Sequence, residues 1–311
     1  MSNSIKYSRR KFLKNTTIAG ISTLSLPALS AISKTYAYND IGTGLDLAVA
    51  MNGTPAENTL AAIRALGGME RFVKPGDVVV IKPNCKYAQA PPHFAITTNP
   101  DVIKMIVRLC KQAGAKEVIA VEHDVAKIFR RSGIGEAIEQ EGGIWEVTEK
   151  RSDFREILIP QGVLLHRTEI LKRVLDADVF INAPIAKHHG GTWLSLGMKN
   201  HMGINYDRII MHNMGLQQTI ADLASGIKPH LIVMDANYML LSNGPTGPGK
   251  TSHHKTVIAG TDQVLVDAYT TTLFKLEPRE IGFIKCASDM GLGNMDLNRA
   301  NIQEFNLQSS E

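Results

Sequence analysis

The chain has 311 residues, of which 44% are hydrophobic and 21% are charged, as in an ordinary globular protein of one large or two modest domains. The formal net charge is +4, but six of the 34 basic residues lie in the first 37 positions, which contain no acid, so the remaining 28 basic and 30 acidic residues nearly cancel. This balance gives no support for a nucleic-acid partner, and the composition shows no sign of disorder.

The amino terminus has the pattern of an export signal. Arg9 and Arg10 precede a short, weakly apolar segment at 16–32, and the small residue Ala37 follows it. A basic region, an apolar region and a small residue together are typical of a signal peptide, and the paired arginines resemble the twin-arginine signal. We therefore predict that residues 1–37 are removed on export to the periplasm. The translocation machinery would be a partner, and membrane contact would be confined to export.

The predicted elements alternate along the mature chain. Short β-branched runs predict strands, and apolar residues three and four apart, with a cap before them and a glycine after them, predict helices. Strands are expected at 45–51, 78–81, 116–121, 145–148, 157–159, 163–165, 179–181, 231–235, 256–259 and 302–307. Helices are expected at 56–66, from Pro100 to Gly114, at 135–140, before Leu175, and at 193–202, 216–227, 262–274 and 278–287.

This order of elements predicts the fold class. Strand, helix and strand between residues 78 and 121 predict a βαβ unit with parallel strands. We expect residues 38–311 to form a single α/β domain, with a mainly parallel sheet and helices on both faces. A division into two subdomains would fall near 150–177, where a hairpin about residues 160–162 is predicted.

Polar residues follow the apolar part of several predicted strands. Lys82 and Asn84 follow one strand, Glu122 follows the next, and Asn182 and Asp235 end two others. Open α/β sheets usually bind ligands at the carboxyl ends of their strands. We therefore predict a ligand site at this edge of the sheet.

The stretch 182–205 is the richest in polar groups. If residues 193–202 form a helix preceded by Gly190, Lys199 and Asn200 lie near its last turn, and with the glycine-rich turn they would bind a carboxylate or phosphate. The alternative is a lysine that faces water and favours the helix dipole. The apolar residues around Lys199 leave little exposed face, which favours a site.

Histidines are concentrated in the same part of the chain, since seven of the ten lie between residues 188 and 254. Together with acids at strand ends they would ligate a divalent metal or act as acid and base. Glu122, His188 and Asp235 are the metal-ligand candidates. The alternative is that several are loop histidines bonded to the backbone.

Two other features carry less chemistry. Residues 244–251 match the letters of a nucleotide P-loop, but two prolines remove amide donors and a strand is expected to follow, so we expect no nucleotide site. Cys85, Cys110 and Cys286 are widely spaced and form no C-x-x-C pair, so these cysteines build no iron–sulfur site of their own, and the pairing of a disulfide stays open.

A series of polar residues along the mature chain occurs in an order shared with a known family. The series comprises Lys82-Pro83-Asn84, Thr98-Asn99-Pro100, Asp176 through Pro184 with Lys187-His188, Lys199-Asn200, His212, Asp222, Asp235, Asn243-Gly244-Pro245 and Asp262 to Asp267. It resembles the family catalogued as domain of unknown function 362, over nearly all of the mature chain. This sequence departs from the more typical pattern at Ile185 and His189. The resemblance implies an α/β fold without an established activity, and some relatives carry attached ferredoxin-type cysteine runs, which are absent here.

The leading hypothesis is an exported enzyme that acts on a small anionic or sugar-derived molecule, with a divalent metal as its candidate cofactor. The alternatives are a redox accessory protein that works with an iron–sulfur partner, and a non-catalytic periplasmic binding or assembly factor. The predicted catalytic residues are His188, Lys199, Asp235 and His212, and the predicted substrate-binding residues are Lys82, Asn84, Asn182, Lys187, Asn200 and Asn243.

Overall fold

The computed structural model describes residues 44–85, 91–123 and 126–307, which belong to one compact unit. The predicted signal peptide lies outside these residues. Among the helices of the described ranges, none combines the length and apolar character needed to cross a bilayer. All three cysteines lie within these ranges and are unpaired there, and Cys85 and Cys110 are buried.

Twelve strands and nine α-helices occur in the described residues. The strands are β1 (Leu47–Met51), β2 (Val78–Pro83), β3 (Glu117–His123), β4 (Ile144–Thr148), β5 (Phe154–Leu158), β6 (Arg167–Leu171), β7 (Val179–Ala183), β8 (Ile185–His189), β9 (Trp193–Ser195), β10 (Leu231–Leu240), β11 (Thr251–Gly260) and β12 (Ile302–Asn306). The helices are α1 (Pro55–Ala65), α2 (Pro100–Gln112), α3 (Ala126–Arg131), α4 (Ile134–Gln140), α5 (Lys172–Leu175), α6 (Gly197–Asn200), α7 (Arg208–Gly226), α8 (Gln263–Leu273) and α9 (Gly282–Asp289).

Ten of these strands form one sheet, in the order β12-β1-β11-β10-β7-β2-β3-β4, with β8 paired to β10 and β9 paired to β8. The pairs from β10 through β4 are parallel, and β11 is antiparallel to both of its neighbours. The prediction of a mainly parallel α/β sheet is therefore confirmed. The predicted βαβ unit is β2, α2 and β3, and the strand predicted at 302–307 is β12, which lies at one edge of the sheet.

Helices lie on both faces of this sheet. Along β11, Ile258 belongs to a core that includes Leu223 of α7, Val264 of α8 and Phe283 of α9. Val257 beside it is equally buried, and successive side chains of a strand point to opposite faces. On the other face α1 lies against β1 and β11, and α2 packs against α1 and β3. The strands are therefore apolar on both sides, as in parallel sheets generally.

Helix α2 begins where its sequence predicts. The side-chain oxygen of Asn99 accepts a hydrogen bond from the Asp101 amide, and Pro100 occupies the first helical position. A proline costs nothing there because the amide of that position has no partner within the helix. This capping arrangement fixes the conformation of the loop that precedes α2.

The region 153–171 differs partly from the prediction. An antiparallel pair is present, but its second strand is β6 and not the predicted strand at 163–165. The amides of Val163, Leu164 and Leu165 instead donate to the carboxylate of Asp222 on α7. Asp222, which is distant in sequence, thus accepts hydrogen bonds from backbone amides that the local sequence pattern had predicted to lie in a strand.

The helix predicted at 193–202 is present only in its second half, because residues 193–195 form strand β9. The chain turns at Gly190 and Gly191, and β9 returns antiparallel to β8, so His189 lies opposite Trp193. Trp193 has φ 64°, which is incompatible with a helix. The short helix α6 follows, and a 3₁₀ helix at His201–Ile204 continues it. The glycine-rich turn therefore connects two strands and does not precede a helix.

The strand predicted at 231–235 continues to Leu240, because β11 and β8 both pair with its second half. Asp235 consequently lies inside β10 and not at its end. Its amide donates to the carbonyl of Pro184, the residue between β7 and β8. The sheet is thus extended past the end of β7, and the β8–β9 hairpin stands at its carboxyl edge.

Candidate functional site

The strand ends meet at the carboxyl edge of the sheet, as predicted. Lys82 of β2 lies directly opposite Asn182 of β7. Its Nζ donates to Glu122 Oε2 of β3 at 2.7 Å, and the two side chains are 1% and 3% exposed. Burial raises the pKa of Glu122, and the charge and hydrogen bond of Lys82 oppose that rise. Gly203 covers this ion pair, since a Cβ there would approach Lys82 Cε to 2.5 Å.

A continuous chain of side-chain amides runs beside this ion pair. Lys187 Nζ donates to Asn84 Oδ1 at 2.8 Å, and Asn84 Nδ2 donates to Asn200 Oδ1 at 3.0 Å. Asn200 Nδ2 donates to Asn182 Oδ1 at 2.8 Å, and Asn182 Nδ2 approaches Nε2 of the fully buried His201 at 3.2 Å. Buried amides that satisfy one another hold their strands and helices in one arrangement. The network therefore links β2, β7, β8 and α6.

Asp235 of β10 holds backbone segments at this edge of the sheet in position. Its carboxylate accepts the amides of Asn99 at 2.8 Å and Asn237 at 2.9 Å, and it is 1% exposed. Burial raises the pKa of Asp235 to about 6, against the lowering effect of the two amides. Next to Asn99, the Thr98 hydroxyl accepts the Asn84 amide and donates to the Ala183 carbonyl. Asp235 therefore holds the loop before α2 in position.

The β8–β9 hairpin carries the two adjacent histidines. Nδ1 of His188 accepts the Gly244 amide at 3.0 Å, and Nδ1 of His189 accepts the Gly191 amide at 3.0 Å. A neutral imidazole with Nδ1 as acceptor carries its proton on Nε2. Both rings are therefore fixed by a backbone amide and present an Nε2–H donor.

Basic groups surround His189. Burial, together with the nearby basic groups of Lys199, Lys187, His212 and His188, lowers the pKa of His189 to about 3. Lys187 donates to the carbonyl of Ile96 at 2.7 Å as well as to Asn84. It therefore belongs both to the amide chain and to the basic groups near His189. His189 is therefore neutral at pH 7 and acts as a hydrogen-bond donor without adding charge. We call Lys187, His188, His189, Lys199 and His212 the basic cluster.

A pocket of about 340 Å³ adjoins the basic cluster. By their chemistry the lining residues fall into two sets. We call His188, His189 and Gly190 the histidine side, and Trp193, Leu194, Leu241, Phe274 and Leu276 the apolar side. Trp193 is 58% exposed and has φ 64°. A left-handed conformation costs a bulky residue about 1–2 kcal/mol, and such strain is found mainly at functional sites.

Asp267 is a supporting residue that pattern analysis left without a role. Its two carboxylate oxygens accept the amides of Gly197 at 2.7 Å and Met198 at 2.9 Å, which are the first amides of α6. Burial raises the pKa of Asp267 to about 7, and the two amides oppose that rise. The helix that carries Lys199 and Asn200 is thus held by an acid from α8.

The structure gathers most of the predicted residues into two groups. Asn243 is the exception among the binding residues, because it is exposed and its Nδ2 donates to Pro248 of its own loop. His212 is exposed, and its electrostatic effect contributes to the lowered pKa of His189. The predicted binding residues in the buried network are Lys82, Asn84, Asn182, Lys187 and Asn200, and the predicted catalytic residues of the basic cluster are His188, Lys199 and His212.

The three predicted metal ligands are not brought together. Glu122 pairs with Lys82, Asp235 accepts two backbone amides, and His188 accepts the Gly244 amide. In the described part of the chain no group of three or more His, Cys, Asp or Glu residues is placed to hold a metal ion. The donor set of the site therefore does not fit a divalent cation. The loop with P-loop letters leads into strand β11, as its sequence predicts.

Fold and site together define an α/β protein with a buried lysine–amide network and a basic cluster at the carboxyl edge of its sheet. The family described as Domain of unknown function (DUF362) matches residues 79–272, more than half of the chain, and the protein belongs to this family. The thylakoid-associated protein sll1697 of Synechocystis sp. is 26% identical, with 76% of each chain covered. The lactate racemase apoprotein of Thermoanaerobacterium thermosaccharolyticum matches at a TM-score of 0.41 and 14% identity, over 68% of this chain and 54% of that one. The chain thus spans about half of that structure.

Proposed function

We propose that the protein is an exported enzyme that binds a small anionic molecule at the basic cluster and acts on it by proton transfer. The observation that carries the proposal is the convergence of basic groups from β8, α6 and α7 on His189, beside the pocket. Like charges held close together repel one another. A bound anion would relieve this repulsion, so the site favours an anionic ligand.

The chemistry follows from how each group is held. Lys199 is 9% exposed, and its ammonium would attract and polarise an anionic group strongly because water is largely excluded. His188 carries its proton on Nε2 while Nδ1 accepts the Gly244 amide. It would move a proton at Nε2 once the ring releases that amide and Nδ1 takes the proton instead. His189 would donate its Nε2–H to the ligand. The amide network beneath would keep Lys187 in place.

Replacing Lys199 with methionine is expected to weaken anion binding about 10- to 100-fold, the usual effect of losing one charge-assisted hydrogen bond. Methionine keeps the apolar stem of the side chain, so the fold is expected to persist. Isothermal titration of the purified protein with inorganic phosphate, acetate and succinate measures the change.

The matched control is Lys228→Met, because Lys228 is an exposed lysine that precedes β10 and does not line the pocket beside the basic cluster. The Lys228→Met variant should bind each anion with the same affinity as the natural protein. Equal anion affinity in the Lys199 and Lys228 variants would contradict the proposed site. For proton transfer, deuterium incorporation from D₂O into a bound carboxylate, followed by NMR, should require His188 and be lost in His188→Gln.

Export is part of the proposal, and it is supported by the sequence of the first 37 residues and by the thylakoid association of the cyanobacterial relative. Replacing both Arg9 and Arg10 with lysine keeps the charge but removes the twin-arginine pattern. We expect the variant to remain in the cytoplasm with its first 37 residues attached. Cell fractionation and the intact mass of the protein measure this, with Lys11→Arg as control. Normal processing of the double variant would exclude the twin-arginine route.

A further inference from the structure

The two sides of the pocket differ in chemistry. The histidine side carries two Nε2–H donors, and Lys187 and Lys199 act on His189 electrostatically. The apolar side contains Trp193, Leu241 and Phe274, and it adjoins the histidine side because register pairs Trp193 with His189. A ligand that was only an anion, such as phosphate, would use one side and leave the apolar side in water. At about 340 Å³ the pocket is at the lower end of the range of about 300–1,000 Å³ found for small-molecule sites.

Trp193 is the most informative residue of the apolar side. It is 58% exposed, so it buries little surface that would offset its strained backbone, and register places it opposite His189. Leu241 on the same side is 40% exposed. Exposed apolar side chains that line a pocket with convergent polar groups are typical of ligand sites. Aromatic side chains such as tryptophan are also the residues that most often dominate binding energy.

We propose that the ligand of this site is an amphipathic anion, with a carboxylate or phosphate group at the histidine side and an apolar ring or chain that lies along Trp193, Leu241 and Phe274. This inference rests on the proposed function and extends it by naming the ligand class. Trp193 is then a specificity-determining residue that separates amphipathic anions from small ones. Its strained backbone conformation belongs to the turn that places Trp193 in the pocket lining.

The test compares three probes by isothermal titration: acetate, octanoate and 1-octanol. The proposal expects octanoate to bind at least about tenfold more tightly than acetate or octanol, because only octanoate uses both sides of the pocket. In Trp193→Gly the ratio of octanoate to acetate affinity should fall about tenfold. Glycine accepts a positive φ without strain, so the melting temperature of this variant should stay the same or rise. Trp193→Phe should restore most of the affinity ratio.

Each other outcome has a defined meaning. If acetate and octanoate bind equally, the ligand class is wrong while the anion site proposed above survives. If neither anion binds, both proposals fail. If Trp193→Gly keeps the affinity ratio, or loses stability, Trp193 does not select the ligand. Binding of the protein to phosphatidylglycerol vesicles without affinity for octanoate would also overturn the inference, since the apolar side would then contact a lipid surface.

Discussion

Replacing Lys82 with methionine is expected to lower the free energy of unfolding by about 3–5 kcal/mol, the usual effect of breaking a buried ion pair. The two side chains are 1% and 3% exposed, so the variant leaves Glu122 without its counter-ion in a site that excludes water. Because Lys82 lowers the pKa of Glu122, its removal raises that pKa further, and the loss of stability should be larger at high pH than at low pH. Urea unfolding at pH 5 and pH 8 measures both effects.

The control is the double variant Lys82→Met with Glu122→Gln. A neutral side chain removes the unpaired charge, and apolar or neutral replacements of buried ion pairs are often nearly neutral in stability. The double variant should therefore recover most of the loss and show no extra pH dependence. A double variant as unstable as Lys82→Met would mean that packing under Gly203 matters more than charge.

Replacing Asp267 with asparagine is expected to remove a decrease in the free energy of unfolding that amounts to up to about 4 kcal/mol between pH 4 and pH 7. This value corresponds to a pKa of about 7 for Asp267 against an ordinary 3.8. Between pH 4 and pH 7 the folded protein keeps a proton on this buried carboxyl, whereas the unfolded chain has lost it. The folded state therefore binds more protons, and stability decreases as pH rises through this window. Asparagine does not titrate, so the variant should lack this decrease.

The measurement is urea unfolding at intervals from pH 4 to pH 8. The difference in unfolding free energy between the natural protein and the variant isolates Asp267 from other titrating groups such as Asp235, whose pKa is also raised. Asp289→Asn serves as the control, since Asp289 is 61% exposed and lies on the surface of α9. A difference that does not change with pH would show that the two α6 amides keep Asp267 charged in the folded state.

Local pattern predicted the elements whose partners are close in sequence. The β-branched run of β2 and the Asn99-Pro100 start of α2 are decided by neighbouring residues. The same holds for the strand ends, because the carboxyl ends of parallel strands lie at one edge whatever the order of the strands. Lys82, Glu122 and Asn182 were therefore predicted to lie together, and they do.

The β8–β9 hairpin and helix α6 were not predictable in this way. The apolar residues between Trp193 and Met202 fit a helix as well as a strand. The choice is made by pairing with β8, which itself requires β10, and by Asp267, which is 70 residues away from Gly197. His201 and Trp193 likewise carry no local sign that one is fully buried and the other exposed.

The sequence by itself thus determined the α/β class, the parallel strands and the polar edge, because side-chain periodicity and capping act within a few residues. The tertiary structure alone decided that the asparagines form one chain between Lys187 and His201, and that the basic cluster faces a pocket with an apolar side. The physical reason is that buried polar groups are stable only with partners, and here those partners come from distant strands and helices that are adjacent only in the folded protein.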